Sequence, residues 1–371
     1  MRSITQAHLE RALALRDLSD PDDGPHAMQL VYSAIADALS DRWACPVREY
    51  RQSPIVTVAE NYGVLGYPAD APARDARYTR YLDDRRLLRT HTSAMVPAAL
   101  RALAHTGNGG LVVACPGLVY RRDVVDRLHV GEPHQLDLWR IRRGPPLTTA
   151  DLDEMVAAIV EAVLPEAEHR AIPASHPYTE QGREVEVLVD GRWVELLECG
   201  LAAEHILAAG GLDAEWSGLA LGIGLDRALM LRKGVGDIRL LRSPDPRVSR
   251  QMLNLEPYRP VSSMPPTRRD LSIAVAEDLT AEELGDRVRE ALRADDLEAV
   301  EEVAVMSETP ATALPAAAVE RIGLEPGQKN VLVRLVLRHP TNTLTAEEGN
   351  RIRNAVYAAV HEGGAHQWAS S

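Results

Sequence analysis

A guanidinium and an amide set across one hairpin are the first residues of this 371-residue chain whose types and spacing suggest chemistry. Arg121 follows the apolar run Leu111, Val112 and Val113. A polar loop then returns through His129 and Glu132, and Gln135 and Asp137 open a second strand-like run that contains Trp139. With Arg121 on the strand before the loop and Gln135 on the strand after it, a fork of fixed N–H donors faces one cleft, which suits a phosphate. The Arg121-Arg122 pair beside acids also reads as a solvated surface ion pair. The hairpin alone leaves both readings open.

Three further stretches have the same character. Val185, Val187 and Val189 alternate with polar residues up to the turn dipeptide Asp190-Gly191, so counting back sets Glu186 opposite Glu195. Facing like charges need neutralising, by a divalent cation such as Mg²⁺, by a nearby base such as Arg192, or through a one-residue change of register. Gly218 to Gly224 reads as a strand that contains Ala220, and it runs straight into a helix carrying Arg227. Gly222 and Gly224 let the backbone approach a flat ligand, and Arg227 adds charge to the positive end of the helix. His91 and Ser93 alternate, so on an extended strand they would share a face; the same Thr-His-Thr-Ser can instead cap a helix from Ala94 to Ala104.

The elements that must hold these groups are legible around them. Leu9 to Arg16 and Met28 to Leu39 repeat at helical spacing on either side of the breakers Asp20 to Pro25. Leu152, Met155, Val156, Ile159 and Val163 form an apolar helix face that Pro165 ends. Prolines from Pro244 to Pro266 mark a boundary, giving a helical segment 1–50, a catalytic-type domain 51–256 and a smaller domain 257–371. In the last, Asp270–Val275 and Asn330–Leu337 read as strands. Capping boxes at Thr280 and Thr345 open helices, and the order fits β-α-β-β-α-β, the ferredoxin-like pattern.

Composition bounds the rest. Apolar residues make up 45% and charged residues 26%, as in soluble globular proteins, and no membrane span or secretory leader is read, so a cytoplasmic location is expected. Three scattered cysteines fit neither a disulfide framework nor a zinc knuckle. A net charge of −13 opposes nonspecific nucleic-acid binding but leaves room for a local basic groove. The chain has no phenylalanine, a standard core residue; Leu, Val, Ile, Trp and Tyr take its place.

The order Tyr120-Arg121-x-Asp123, His129, then His134-Gln135-x-Asp137 resembles motif 2 of class II aminoacyl-tRNA synthetases, specifically the phenylalanyl catalytic (alpha) subunit. Asn61 to Tyr81 resembles motif 1, and Gly218 to Arg227 followed by Asp237-Ile238-Arg239 resembles motif 3. The architecture is closest to the single-chain organellar type, and Pro266 to Leu271 with Thr343 to Glu348 resembles its ferredoxin-fold anticodon-binding domain. The resemblance implies an α+β fold: an antiparallel-sheet catalytic domain flanked by helices, followed by a β-α-β-β-α-β domain. It also implies ATP-dependent formation of an aminoacyl adenylate and transfer to tRNA. Arg121 would hold the α-phosphate, His129 and Arg227 the outgoing phosphates, and Asp123 the adenine amine. His91, Ser93, Gln135 and Asp137 would surround the substrate amino group, with Ala220 in the same pocket. Glu180 and Glu195, with Glu186, would carry Mg²⁺, and Arg268 and Arg269 would meet RNA.

Departures concentrate in the pocket. His176-Pro177-Tyr178-Thr179-Glu180 replaces Phe-Pro-Phe-Thr-Glu, Glu198 replaces a glycine, Pro133 replaces an adenine-stacking ring, and Asp137 stands where glutamate is usual. The pocket becomes more polar, so the expected amino acid is not phenylalanine. Two other readings of the chain remain: a paralogous ligase that passes the activated acid to a small amine or carrier, and an inactive RNA-binding or regulatory paralogue. The oligomeric state is not legible.

Overall fold

The alternating stretches close into one large sheet in the computed structural model of the chain, which describes residues 3–103, 110–261, 265–340 and 342–365. Two compact units are present. Residues 1–121, 132–235 and 250–258 form the first; residues 122–131, 236–249 and 259–371 form the second.

The first unit carries strands β1 (Val47–Glu49), β2 (Ile55–Thr57), β3 (Arg86–Leu88), β4 (Gly110–Leu118), β5 (His134–Arg143), β6 (His169–Pro173), β7 (Thr179–Val189), β8 (Arg192–Ala202) and β9 (Trp216–Gly224). Seven of them form a sheet in the order β1-β4-β5-β9-β8-β7-β6, antiparallel throughout except for β1 beside β4; β2 and β3 pair separately. β4 is buried along its whole length, which is why it reads as a continuous apolar run. Helices α1 (Gln6–Leu13), α2 (Ala27–Trp43), α3 (Val96–Leu103), α4 (Thr149–Val163), α5 (Glu204–Ala209) and α6 (Leu225–Lys233) complete the unit. Leu111, Val113, Trp139 and Ile141 of the sheet pack with Val96, Ala99 and Leu100 of α3 and with Ile206 and Leu207 of α5. α2 packs on α4 and α6, burying Val31, Ile35 and Leu39, each worth about 1.5–3 kcal/mol. Residues 1–50, expected as a separate segment, therefore belong to this unit.

Asp190 (φ 50) and Gly191 (φ 74) make the expected two-residue turn between β7 and β8. The ladder counts evenly back to Glu186 opposite Glu195 and then skips Leu196, so that Val185 faces Leu197 and Glu184 faces Glu198. That is a bulge.

In the second unit β10 (Thr267–Ala276), β11 (Val300–Pro310) and β12 (Gln328–Leu337) form an antiparallel sheet ordered β10-β12-β11. Helices α7 (Pro246–Ser249), α8 (Ala281–Ala291), α9 (Ala294–Glu298), α10 (Ala316–Ile322) and α11 (Ala346–Val360) accompany it. Leu284 and Val288 of α8 and Ile352 and Val356 of α11 share an apolar core with Leu271, Ile273, Val333 and Leu335. Both expected capping boxes are present, Thr280 with Glu283 and Thr345 with Glu348. Strand, helix, two strands and helix follow in the expected order. The described residues hold three strands; the expected fourth would follow α11, where residues 366–371 lie outside those described.

The loop 122–131 is part of this second unit. Val125 lies in its core, Val303 N donates to Val125 O at 2.8 Å, and the Arg289 guanidinium donates to the carbonyls of Asp123 and Val124, each at 2.6 Å. A Cβ at Gly285 would stand 2.6 Å from Asp123 O, so only glycine admits the loop this closely. Among the described residues no helix is long and apolar enough to cross a membrane.

Candidate active site

Backbone pairing in the first unit sets Asp137, Gly222, Glu198 and Glu184 in one row across β5, β9, β8 and β7. Paired residues share a sheet face, so the carboxylates of Asp137 and Glu198 stand on the same face with Gly222 between them, their backbones roughly 10 Å apart. The space above Gly222 is open: the nearest atom to a Cβ there would be Asp137 Oδ2, 4.0 Å away. Gln135 pairs with Gly224 on one side of the row, and Trp139, Ala220 and Gly200 align on the other. The floor is thus built of small residues on which a flat ligand can lie.

Asp137 is 4% exposed. Its Oδ2 accepts from Thr92 Oγ1 at 2.7 Å and its Oδ1 from Trp139 Nε1 at 3.3 Å. Burial pushes its carboxyl above the ordinary range, and the hydroxyls of Thr92 and Ser93 oppose that rise. His91 is extended, but Thr92–Met95 turn into a 3-10 helix. His91 and Ser93 therefore do not share a strand face; the turn brings Thr92, which the sequence had not singled out, onto Asp137. Both His91 ring nitrogens are buried without a partner of good hydrogen-bond geometry among the described residues, with the Asn61 backbone close by, and the ring stacks on Tyr67 at 5.7 Å. Burial, with Arg121 nearby, lowers its pKa to about 3, so the imidazole is neutral at neutral pH.

One wall is aromatic with polar edges. His176 stacks on Tyr178 at 5.7 Å, and Tyr178 tilts against Tyr67 at 6.3 Å. Tyr67 reaches this place because Gly66 adopts φ +81 and passes close to Pro177, whose carbonyl would lie 3.2 Å from a Cβ there. Tyr67 was missed in the sequence, although its place between Gly66 and Pro68 marks it. His176 Nε2 lies 3.3 Å from Glu198 Oε2, and its Nδ1 3.1 Å from Thr179 Oγ1. The His176 hydrogen bond holds the Glu198 carboxyl below its usual range against burial, helped by the charges of His176 and Arg121.

Arg121 is not on the strand. The β4–β5 ladder ends where Leu118 meets His134, and Arg121 lies beyond it, bridged to Thr79. Its Nε is buried with no hydrogen-bond partner among the described residues. Arg227 stands in the first turn of α6 and donates to Glu195 Oε2 at 2.8 Å and to its carbonyl at 3.2 Å. Next to it, Asp226 accepts from His134 N and lies 3.1 Å from His134 Nδ1. Leu18 N donates to His134 Nε2 at 3.0 Å, which leaves the ring proton on Nδ1, facing Asp226. The start of β5 is thereby pinned to the start of α6. Pro133 precedes this junction, its carbonyl accepting from Val119 N at 2.9 Å.

The acids need two corrections. Glu186 does face Glu195, but Arg170 of β6 binds Glu186 at 2.6 Å while stacked 4.3 Å over Trp193, and Arg227 binds Glu195. Two guanidinium groups, neither of them Arg192, balance the pair, so like charge alone no longer calls for a cation on Glu186. Glu180 pairs with Leu201, six residues along β8 from Glu195 and roughly 20 Å away at the rise of a strand, so one ion cannot touch both. Glu184, not singled out in the sequence, is the better neighbour: burial, Glu195, Glu186 and Glu198 push its carboxyl up, and Arg227 opposes this.

Four of the expected site residues lie in the second unit. Asp123 Oδ1 accepts from Val124 N at 2.8 Å, and His129 Nδ1 lies 2.8 Å from the Asp126 carboxylate. Lys329, Arg334 and Arg338 sit 2.8 Å from Glu308, Asp270 and Glu301. Arg268 and Arg269 have no carboxylate partner among the described residues; Arg269 donates to Asn350 Oδ1 at 3.0 Å and to Arg268 O at 2.9 Å.

A family model for "tRNA synthetases class II core domain (F)" matches residues 24–252. The phenylalanine–tRNA ligase alpha subunit of Prochlorococcus marinus (strain MIT 9313) is 40% identical over 192 residues, covering 52% of this chain and 56% of the relative. That of Synechocystis is 39% identical over 193 residues, with the same coverage. The chain spans about half the length of the curated relatives it matches. Among solved structures, pyrrolysyl-tRNA synthetase from Desulfitobacterium hafniense aligns with a TM-score of 0.47 and 20% identity over 64% of this chain and 78% of that one.

Proposed function

We propose that this chain, which belongs to the family of class II tRNA synthetase core domains, activates an amino acid with ATP and passes the acyl group to tRNA. In the first step a carboxylate oxygen of the amino acid attacks the α-phosphorus of ATP, the bond to the β-phosphate bridging oxygen breaks, and pyrophosphate leaves with that electron pair. In the second, a tRNA hydroxyl attacks the acyl carbon, its proton passes to solvent, and AMP departs. No protein nucleophile is needed; the work is alignment and stabilisation of negative charge.

The observation that carries this reading is Arg121. A buried guanidinium nitrogen without a hydrogen-bond partner among the described residues, on a side chain whose charge reaches Glu198 and His91, is a ready receptor for an anion such as the α-phosphate. Arg227, fixed by Glu195 at the start of α6, would face the outgoing phosphates. Asp137, with His91, Ser93 and Gln135, would take the substrate ammonium, since a buried carboxylate is best satisfied by a positive partner. Glu184 and Glu195 suit Mg²⁺, because the crowding that raises the Glu184 carboxyl is what a divalent cation relieves. When bound there, the ion would neutralise charge on the phosphates.

ATP–pyrophosphate exchange across the amino acids, followed by charging of total tRNA, tests the proposal. Exchange with charging is expected. Exchange without charging would favour transfer to a small amine or carrier, and neither would favour an inactive paralogue.

A further inference from the structure

The row that holds Asp137 and Glu184 also holds Glu198, a carboxylate for which nothing in adenylate chemistry calls. Glu198 stands two strands from Asp137 on the same face of the sheet, with Gly222 leaving the space between them open. The two acids differ in their surroundings. Thr92 and Trp139 already occupy both oxygens of Asp137, whereas His176 Nε2 reaches one oxygen of Glu198 at 3.3 Å and leaves the side chain 44% exposed. His176 is itself held from behind by Thr179 and stacked on Tyr178, so the pair has a fixed direction.

We infer that Glu198, oriented by His176, is a specificity-determining acceptor for the far end of the substrate side chain, selecting an amino acid that ends in an N–H or O–H donor, cationic or neutral. This rests on the adenylation reading above and deepens it. An ammonium at Asp137 and a donor at Glu198 satisfy at once the two carboxylates that flank Gly222. A plain phenyl group would cover Glu198, remove it from water and offer no hydrogen bond, and a carboxylate side chain would meet a like charge. The Tyr67 and Tyr178 rings still favour a flat or extended stem between the two ends. Discrimination of this kind is steep, because a site built to accept a hydrogen bond is left unpaired by an analogue that lacks the donor.

The experiment measures ATP–pyrophosphate exchange with L-phenylalanine, L-tyrosine, p-amino-L-phenylalanine, L-lysine and L-glutamate, for the wild type, Glu198→Gln and Glu198→Gly. At least one donor-ended acid should exceed phenylalanine by 10-fold or more in kcat/KM, with glutamate inactive. Glu198→Gln should cut that preference about 10-fold, and Glu198→Gly should abolish it. Phenylalanine or glutamate as the best wild-type substrate overturns the inference, as does an unchanged preference in both variants. Thermal shift with each amino acid alone separates this result from the adenylation reading. If no acid supports exchange, the adenylation reading fails. Stabilisation by a donor-ended acid above phenylalanine then still supports the acceptor role of Glu198, and equal or greater stabilisation by phenylalanine overturns it.

Discussion

The two ends of the Asp137–Gly222–Glu198 row hold their charges differently. At the β5 end Asp137 is nearly sealed, with Thr92 and Trp139 on its oxygens, and the adjoining strand start is pinned through His134 to Asp226. At the β8 end Glu198 is 44% exposed, and its ion-pair partner among the described residues is the His176 imidazole. The first end is fixed by buried side chains and backbone, the second by a single half-open pair. A site made this way can change what it selects at one end while leaving the alignment of the reacting groups at the other.

The largest effect should come from the phosphate receptors. Arg121→Ala and Arg227→Ala are each expected to lower exchange by about 100-fold or more, with a normal melting temperature for Arg121→Ala. Near wild-type exchange in Arg121→Ala would remove this residue from the site and with it the proposed division.

Asp137→Asn comes next. Losing one member of a buried charge pair costs about 3–5 kcal/mol, so KM for the amino acid should rise at least 100-fold. Stability should move the other way. The folded carboxyl is raised above its unfolded value, so its contribution is fully present below the usual carboxylate range and is lost as pH rises through the raised value. At pH 7 the variant should therefore melt higher than the wild type, by a gap that closes as the pH falls towards the ordinary carboxylate range. A lower melting point at pH 7 would mean that the carboxylate is needed by the fold.

A smaller contrast separates the acids. Glu184→Gln and Glu195→Gln should each raise the Mg²⁺ concentration for half-maximal exchange by about 10-fold, whereas Glu180→Gln and Glu186→Gln should stay within about 2-fold. Equal effects from Glu180 and Glu195 would contradict the register-based separation.

The smallest effect concerns His91. Its folded pKa is depressed to about 3, so it contributes stability above its unfolded value near 6.5 that is lost as pH falls towards 3. His91→Gln should flatten the loss of melting temperature between pH 7 and pH 4.5 by a few degrees. Superimposable profiles would place His91 in water.

How far the sequence could be read follows from the reach of each interaction. The turn at Asp190-Gly191 and the register to Glu186 are local, and both could be counted from the residues. The capping boxes at Thr280 and Thr345 are local as well. Arg170 was invisible because it arrives on a third strand whose pairing no short-range pattern announces. Thr92 was missed because a 3-10 turn replaced the expected strand and changed which side chains face Asp137. Tyr67 comes from a distant loop, and only the left-handed backbone at Gly66 brings it near. Glu184 needed the bulge to be placed, since an even ladder would have set it opposite Leu197 instead of Glu198.

That bulge has a consequence for how such a protein can diverge. Glu195 and Glu198 are three residues apart, an odd interval that in a regular strand puts side chains on opposite faces; the extra residue Leu196 turns both towards the cleft. Flattening the bulge with Leu196 retained would send Glu198 to the far side of the sheet while Glu195 stayed with Arg227, whereas deleting Leu196 would leave the two acids an even interval apart and on the same face. Selectivity can therefore shift by a change of strand register as well as by substitution, and the face on which a residue at position 198 stands is known only when the bulge at Leu196 is counted.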